Sequence, residues 1–467
     1  MPPLPMTTGH YGRPRAKLPT IRLVNAYVES TEGGPTKEAR LPRPGFALDF
    51  TLGAGPILRM FQVPGLFNSA LFSVSGGGFY KDSALVETVP YGTAPRMAAA
   101  QEYLALVTGG ALYVYDGTSL TLVEFFDDGV SRLPAFSGVS VLYNIWIFPV
   151  AGSNQFFFSA VGNPASINAA NFGAAQTSPG PIVETIILAE EILFLCTDAV
   201  EFWDYSGSLT APFAESQGRT YIRGCAAQGA VVKMDNAVFF VADDFSVYRT
   251  SAVPIKVSTP YIDDRLAEAG AGVSQCTAFT LSIEGHVFYV LNIPTLNESY
   301  AYDAQTKEWA QWGTQQPFQA NPGLFAASCA AGFGSSIWLG DAVTGDVYLL
   351  DPSNNTDNGI AKRVIVSGAL WRPGGIERCN TVALACVRGV GDPAAPDPMV
   401  EMRYSDDGGR TFTPWIQASL GVAGGYYYKA VWRGLGTMQQ PGRLFEFSVS
   451  DPVNFTVEGA SYNEARP

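Results

Sequence analysis

The sequence predicts an all-β chain organised as a β-propeller of six to eight blades, seven favoured, with an additional β unit at its C-terminal end. Three observations carry that expectation: a composition suited to short strands, a hairpin pattern that recurs along the chain, and a near-constant spacing between hairpins. Of 467 residues, 49 are Gly, 32 Pro, 29 Phe and 21 Tyr, a mixture that favours strands and turns over long helices. Hydrophobic residues make up 47% and charged residues only 15%, against roughly 25% charged in ordinary soluble proteins. The chain therefore buries a large core, which excludes disorder and coiled coil.

From about residue 66 onward, pairs of aromatic and β-branched runs are joined by short Gly, Asp or Asn turns, the signature of β-hairpins. In order they are 70–80, 103–115, 144–158, 192–205, 238–248, 286–302 and 337–350. One aromatic marks the second run of each: Phe79, Tyr113, Phe157, Phe202, Tyr248, Tyr300 and Tyr348. The steps between them are 34, 44, 45, 46, 52 and 48 residues, close to the period of a four-stranded blade. Radial stacking of such blades buries the faces that no single hairpin covers. Sustained helical periodicity is confined to 261–271, about three turns, which reads as a linker helix.

Three segments follow. Residues 1–45 form an extended arm plus one strand, the apolar run Ile21 to Val28; 46–365 form the propeller; 366–467 form a C-terminal β unit with strands at 382–387, 399–404, 426–432 and 444–449. That unit either forms a platform or closes the propeller by pairing with the N-terminal strand, a closure that removes exposed edges. The stretch 133–183 contains no Asp, Glu, Lys or Arg. It is either a well-buried blade with uncharged loops or a surface covered by another subunit, since interface cores are depleted of charge.

The balance of 29 Lys and Arg against 42 Asp and Glu, a net charge of −13, argues against a surface built to grip phosphates. The first 17 residues lack the apolar core of a signal peptide, and no apolar run is long enough to span a membrane, so synthesis and folding in a cytoplasm are expected. The six cysteines lack metal-site or C-x-x-C spacing and read as buried free thiols.

Signals for chemistry are few. The two histidines, His10 in the arm and His286 in a strand, sit in no nucleophile motif. The glycines at Gly53, Gly55 and Gly76 to Gly78 lack the strand-to-helix context of phosphate loops and read as turns. The acid pairs Asp127/Asp128, Glu190/Glu191, Asp243/Asp244, Asp263/Asp264 and Asp406/Asp407 read as solvated turn acids, because strand neighbours point to opposite faces. The run Asp351, Ser353, Asn355, Asp357 alternates oxygen ligands like a calcium loop but lacks its glycine and closing glutamate. No catalytic, cofactor-binding or metal-binding residue is assigned, and no enzymatic activity is expected.

The most specific local motif is Ser405-Asp406-Asp407-Gly408-Gly409-Arg410-Thr411-Phe412, an Asp-box turn similar to those of sialidase-like propellers. Its expected roles are structural: Ser405 and Asp407 bond the turn backbone, Gly409 supplies positive φ, Thr411 completes the pattern and Phe412 packs beneath.

Longer segments carry a broader resemblance. Val24-Asn25-Ala26-Tyr27-Val28-Glu29, Leu41-Pro42-Arg43-Pro44-Gly45 and Asn154-Gln155-Phe156-Phe157-Phe158-Ser159 resemble the packaged-DNA stabilisation proteins of short-tailed bacteriophages, also called tail accessory, nozzle or tail hub proteins. The similarity continues through Glu201-Phe202-Trp203, Gly224-Cys225-Ala226-Ala227, Lys233 to Phe239 and Val257-Ser258-Thr259-Pro260. It ends with Trp432-Arg433, Leu444 to Ser448 and Ser450-Asp451-Pro452. The chain departs from the pattern after Trp432, where Gly434 follows Arg433 in place of a second Arg.

The resemblance implies a virion tail protein made in the host bacterial cytoplasm, assembled as a ring of six copies below the portal and adaptor. The ring would extend the DNA channel, retain packaged DNA, conduct its ejection, and anchor the tail needle, spikes or fibres. An acidic lumen suits passage of genomic DNA without binding, because negative walls repel phosphate. The alternative is a phage tail propeller that binds or cleaves glycans, suggested by the Asp box and the many aromatics.

Overall fold

A computed structural model describes residues 3–13, 18–30, 38–92, 95–177, 180–208, 210–317, 319–333, 336–372, 374–391 and 393–463. Its repeating unit is an antiparallel sheet of four strands taken in chain order. The first sheet is Ile57–Phe61, Phe72–Ser75, Gly78–Lys81 and Ala84–Thr88. Five more follow, beginning with Arg96–Ala100, Ser140–Leu142, Ile182–Leu188, Val232–Met234 and Thr277–Ile283. The seventh begins with Ala327–Phe333. These first strands stand side by side around an axis, and that of the seventh sheet returns to that of the first. The propeller expected from the spacing is thus present as seven such sheets, and every hairpin read from the sequence supplies the second and third strands of one of them.

Local chemistry explains the hairpins. Five first-to-second connections are two-residue turns whose leading residue has positive φ: Gln101 (53°), Tyr143 (51°), Ala189 (53°), Asp235 (48°) and Glu284 (49°). Such turns match the right-handed twist of the flanking strands. Second strands are buried on both faces in the middle of the ring: Ile145–Pro149 and Ala237–Val241 expose none of their five residues. Between sheets the faces interlock through aromatics, as where Phe156 stacks on Phe194 at 4.7 Å and meets Trp203 edge-on. The helix Pro260–Ala269 links the fifth and sixth sheets; Pro260 opens it, the Thr259 hydroxyl accepts from the Ile262 amide, and Ile262 and Leu266 face the core. All six cysteines are free and buried.

The seventh sheet takes its fourth strand from the other end of the chain. Gly45–Thr51 pairs antiparallel with Asp346–Asp351, from Asp346↔Thr51 to Asp351↔Gly45. Closure therefore comes from the N-terminal side and not from the C-terminal strands. A Cβ on Gly45 would lie 2.1 Å from the Thr356 carbonyl oxygen, so only glycine lets the strand begin this close to Thr356–Asp357, which pairs along its other edge.

Two short strand pairs, Tyr11–Arg13 with Leu18–Ile21 and Glu377–Arg378 with Thr437–Met438, stand apart, and most of the other remaining strands form two sheets that share one core. One has the order Ala430–Arg433, Thr381–Cys386, Val457–Tyr462, Glu38–Pro42, Ala26–Ser30, with Pro3–Leu4 beside Val457–Tyr462. The other runs through Leu23–Val24, Val364–Ser367, Leu444–Val449, Met399–Ser405 and Ile416–Ser419. It is continuous with the sixth propeller sheet through the parallel contact of Gln311 with Val24. The segment read as an extended arm is thus built into the C-terminal sheets. The single strand expected over 21–28 is divided at Arg22 and Asn25, where Asn25 takes a φ of 53°. Residues 426–429, expected as strand, form an exposed turn instead, preceded by Gly424 and Gly425 and held by Arg388 donating to the Tyr428 carbonyl at 3.0 Å.

Where these parts meet lies Arg43, 1% exposed. All five of its N–H donors are used. Nε donates to the Asn25 amide oxygen at 3.0 Å, and the two terminal nitrogens donate to the carbonyls of Pro44 and Gly313 and to both oxygens of Asp357 at 2.9 and 2.5 Å. Asn25 is held from both ends: Gly313 donates its amide to the side-chain oxygen, and the Asn25 amide group donates to the Arg363 carbonyl. Breaking a buried pair by removing one partner strands the other charge. Arg43→Ala is therefore expected to cost about 3–5 kcal/mol in urea unfolding, whereas the double variant Arg43→Met with Asp357→Leu recovers most of that loss.

Candidate functional site

The Asp-box residues lie at the end of Met399–Ser405 and in the turn that follows. The Ser405 hydroxyl donates to Asp407 Oδ1 at 2.7 Å and accepts the Gly409 amide at 2.8 Å. Asp407 accepts the amides of Arg410 and Thr411 at 2.9 Å and the Thr411 hydroxyl at 2.6 Å. These bonds hold its carboxyl well below the usual carboxylate range. Gly409 has φ 87°, and the half-buried Phe412 lies under the Arg403 guanidinium at 4.3 Å. The same turn presses on the N-terminal strand, since a Cβ on Gly409 would come within 2.8 Å of Pro19.

Asp406, read as a solvated turn acid, has a different role. Both of its oxygens accept from the buried Arg443, at 2.5 and 2.7 Å, while Arg443 also donates to the carbonyls of Leu435 and Thr437. The turn thereby ties down residues 435–443. Other acid pairs also hold cations: Asp243 and Asp244 flank Arg223, and Asp263 bonds Lys256 and the Ser258 hydroxyl. The calcium-like run is spent internally, because Asp351 caps Ser353 and Asp357 belongs to Arg43. Sequence reasoning missed this use because the partner stands 314 residues away.

The two histidines are separate. His10 is buried against Tyr261 and Tyr300, and burial together with Arg22 pushes its pKa down to about 3, so it stays neutral. His286 pairs through Nδ1 with Asp303 Oδ2 at 2.7 Å, both buried. It lines a cavity of about 410 Å³ with Glu29, Glu38, Glu284 and Glu308. Desolvation, and next Glu38, raise the Glu308 pKa, against the Thr8 hydroxyl that bonds it.

Buried charge is nearly balanced. Among the described residues the buried charged side chains are five basic and six acidic, so the interior holds almost none of the acidic excess. The charge-free stretch 133–183 contributes the third sheet and the start of the fourth. Its last strand in the third sheet, Asn163–Ala174, lies on the rim with one edge unpaired. Ile167 pairs with Ser159 and Phe172 with Phe157, so four residues on the rim face one on its neighbour. Asn168, Ala169, Ala170 and Phe172 are exposed, Phe172 by 55%. A second apolar surface is the turn with Tyr426, Tyr427 and Tyr428, exposed by 70%, 97% and 47%.

Lys362 is buried beside the Arg43 junction and donates to the carbonyl of Arg43 at 2.6 Å. Burial, and next the positive Arg43, push its pKa from 10.5 down to about 7, partly opposed by Asp357. Above that value the unfolded chain still holds the proton that the folded chain has lost, so this group adds stability as pH rises toward the ordinary lysine value. The expected outcome is that wild type gains on Lys362→Met between about pH 7 and pH 10 and runs parallel to it below about pH 6 in urea unfolding at each pH.

Comparison with known proteins adds one strong match. The sequence model of a family described as "Bacteriophage P22 Gp10, beta-propeller" matches residues 59–355, from the innermost strand of the first sheet to just past the seventh. No curated protein matches the chain. Among solved structures, the extracellular domain of a one component system from B. thetaiotaomicron is 10% identical with a TM-score of 0.41, covering 79% of this chain and 47% of its own. YCF48 from Cyanidioschyzon merolae is 10% identical with a TM-score of 0.39, covering 66% of this chain and 99% of its own. An exo-beta-1,3-galactanase from Phanerochaete chrysosporium is 9% identical with a TM-score of 0.31, covering 80% and 96%.

Proposed function

This chain belongs to the phage-stabilisation family described as bacteriophage P22 Gp10, a β-propeller family of structural phage proteins, and from that premise we propose that it forms a tail ring below the portal and adaptor. In this reading six copies continue the DNA channel, retain packaged DNA, conduct its ejection and anchor distal tail parts such as needle, spikes or fibres. The family match over 59–355 carries the proposal, and its place is the virion.

Three physical features support the finer reading. The exposed, uncharged rim strand Asn163–Ala174 suits a contact between copies, because a free strand edge without charge invites pairing. The acidic excess, almost none of it in the interior, suits a conduit that DNA passes without sticking. The exposed tyrosine turn suits a docking point for a tail part, since tyrosine is enriched in interface cores. We take the propeller as the ring-building body and the C-terminal sheets as the platform.

Mass photometry of the chain alone and mixed with purified portal and adaptor rings tests this. The expected outcome is that about six copies join the preformed ring, and that Ala170→Glu with Phe172→Glu abolishes joining while the melting temperature is unchanged. A chain indifferent to those rings overturns the proposal. The second reading, glycan cleavage, is favoured only by the glutamate cavity with its raised Glu308 pKa. It requires release of sugar from host surface polysaccharide that is lost in Glu308→Gln.

A further inference from the structure

The propeller axis holds a positive charge that the fold does not use. Arg59 stands on the innermost strand of the first sheet, where the register slips between Ile57 and Arg59. Such a bulge re-aims a side chain. The seventh sheet slips at the facing position, between Ala327 and Cys329, and there the Ser328 hydroxyl donates to the Ile57 carbonyl at 2.8 Å. Between these bulges and the sixth sheet lies a cavity of about 270 Å³, close to the lower bound of about 300 Å³ for small-molecule pockets.

Besides Ser328 and Thr277, three polar side chains line it and are differently committed. Arg96 is taken by Glu184, the innermost acid of the fourth sheet, and also donates to the Gln228 carbonyl at 2.7 Å; Glu184 in turn accepts the Thr185 amide. That pair is neutral overall. Arg59 has neither a hydrogen bond nor a carboxylate within ion-pair reach among the described residues, and its Nε is shut off from solvent without a partner. Burial, and next the like charge of Arg96, push its guanidinium pKa down to about 10, partly opposed by Glu184 at a distance, so it remains charged at neutral pH. Asn292, 1% exposed, donates to the Ala327 carbonyl at 2.8 Å, yet its amide oxygen accepts from no group.

A half-buried guanidinium that makes no ion pair among the described residues, its Nε shut off from solvent, and a buried acceptor without a donor each gain if something fills the space between them. The walls between them are mostly apolar, with Ile57, Leu58, Pro294, Leu324 and Val343 among them. We propose that this axial cavity binds a small organic acid, its carboxylate held by Arg59, its apolar body against these walls, and a hydroxyl or amino donor on the Asn292 amide oxygen. A carboxylate matches the planar fork of a guanidinium.

Saturation-transfer NMR on the full chain tests the assignment with three probes: 4-hydroxybenzoate, benzoate and 4-hydroxybenzyl alcohol. The expected result is transfer to both acids, tighter binding of 4-hydroxybenzoate, and none to the alcohol. Arg59→Met is expected to weaken both acids at least tenfold while its melting temperature stays equal to or above that of wild type, because the residue lost has no protein partner. Equal binding of acid and alcohol, binding indifferent to Arg59→Met, or silence from all three probes overturns the proposal. So does a marked fall in the melting temperature of Arg59→Met, which would reveal a structural partner for the charge.

Discussion

The ring stands on one constraint: its last sheet is completed by a strand from the beginning of the chain. Thr51 and Asp346, bonded to each other across the closing pair, are 295 residues apart in sequence. Until they meet, the seventh sheet has a free edge and the first has no neighbour on one side, so the faces of both remain exposed. Contacts of such separation are entropically expensive and form late. What makes the closure durable is therefore not the ladder alone but the junction behind it.

That junction explains why the N-terminal segment cannot be a loose arm. Having closed the ring through Gly45–Thr51, the chain is anchored immediately upstream by Arg43, whose guanidinium ties Asn25, Pro44, Gly313 and Asp357 together. Those residues come from the leading strands, the end of the sixth sheet and the segment after the seventh. A buried ion pair is weak support for stability in itself, but it specifies one arrangement, because any other leaves the charge without its partners. Ring and C-terminal sheets are thus oriented by a single fully satisfied side chain, with Lys362 closing the remaining carbonyls.

Charge inside the molecule serves its architecture. Interior cations are used for construction: Arg43, Arg96 and Arg443 each hold an acid from a distant part of the chain. The interior carries little of the acidic excess, and the long uncharged strand Asn163–Ala174 exposes its middle at Asn168, Ala169 and Ala170. The Asp-box turn fits the same pattern, its Asp407 organising the turn and its Asp406 holding Arg443. Arg59 departs from that economy, since among the described residues it makes no ion pair and feels Glu184 only at a distance.

Much of this architecture was legible without coordinates. The middle hairpins showed because strands buried on both faces read as apolar and aromatic runs, and their spacing announced the repeat. Outer strands such as Ala84–Thr88, almost wholly exposed, carry no such pattern, and turns led by Gln101 or Ala189 lack the glycine that usually marks them. The Asp-box bonds were readable because every partner lies within six residues. The partners of Asp357, Asp406 and Arg443, the closing strand and the isolation of Arg59 were not, since each depends on segments brought together by the ring. Sequence alone determined the local hairpins, their period and the excess of negative charge, all of which follow from neighbours along the chain. Only the tertiary structure decided which strand closes the ring and which charges find partners, because those choices rest on desolvation and contact between residues far apart in sequence.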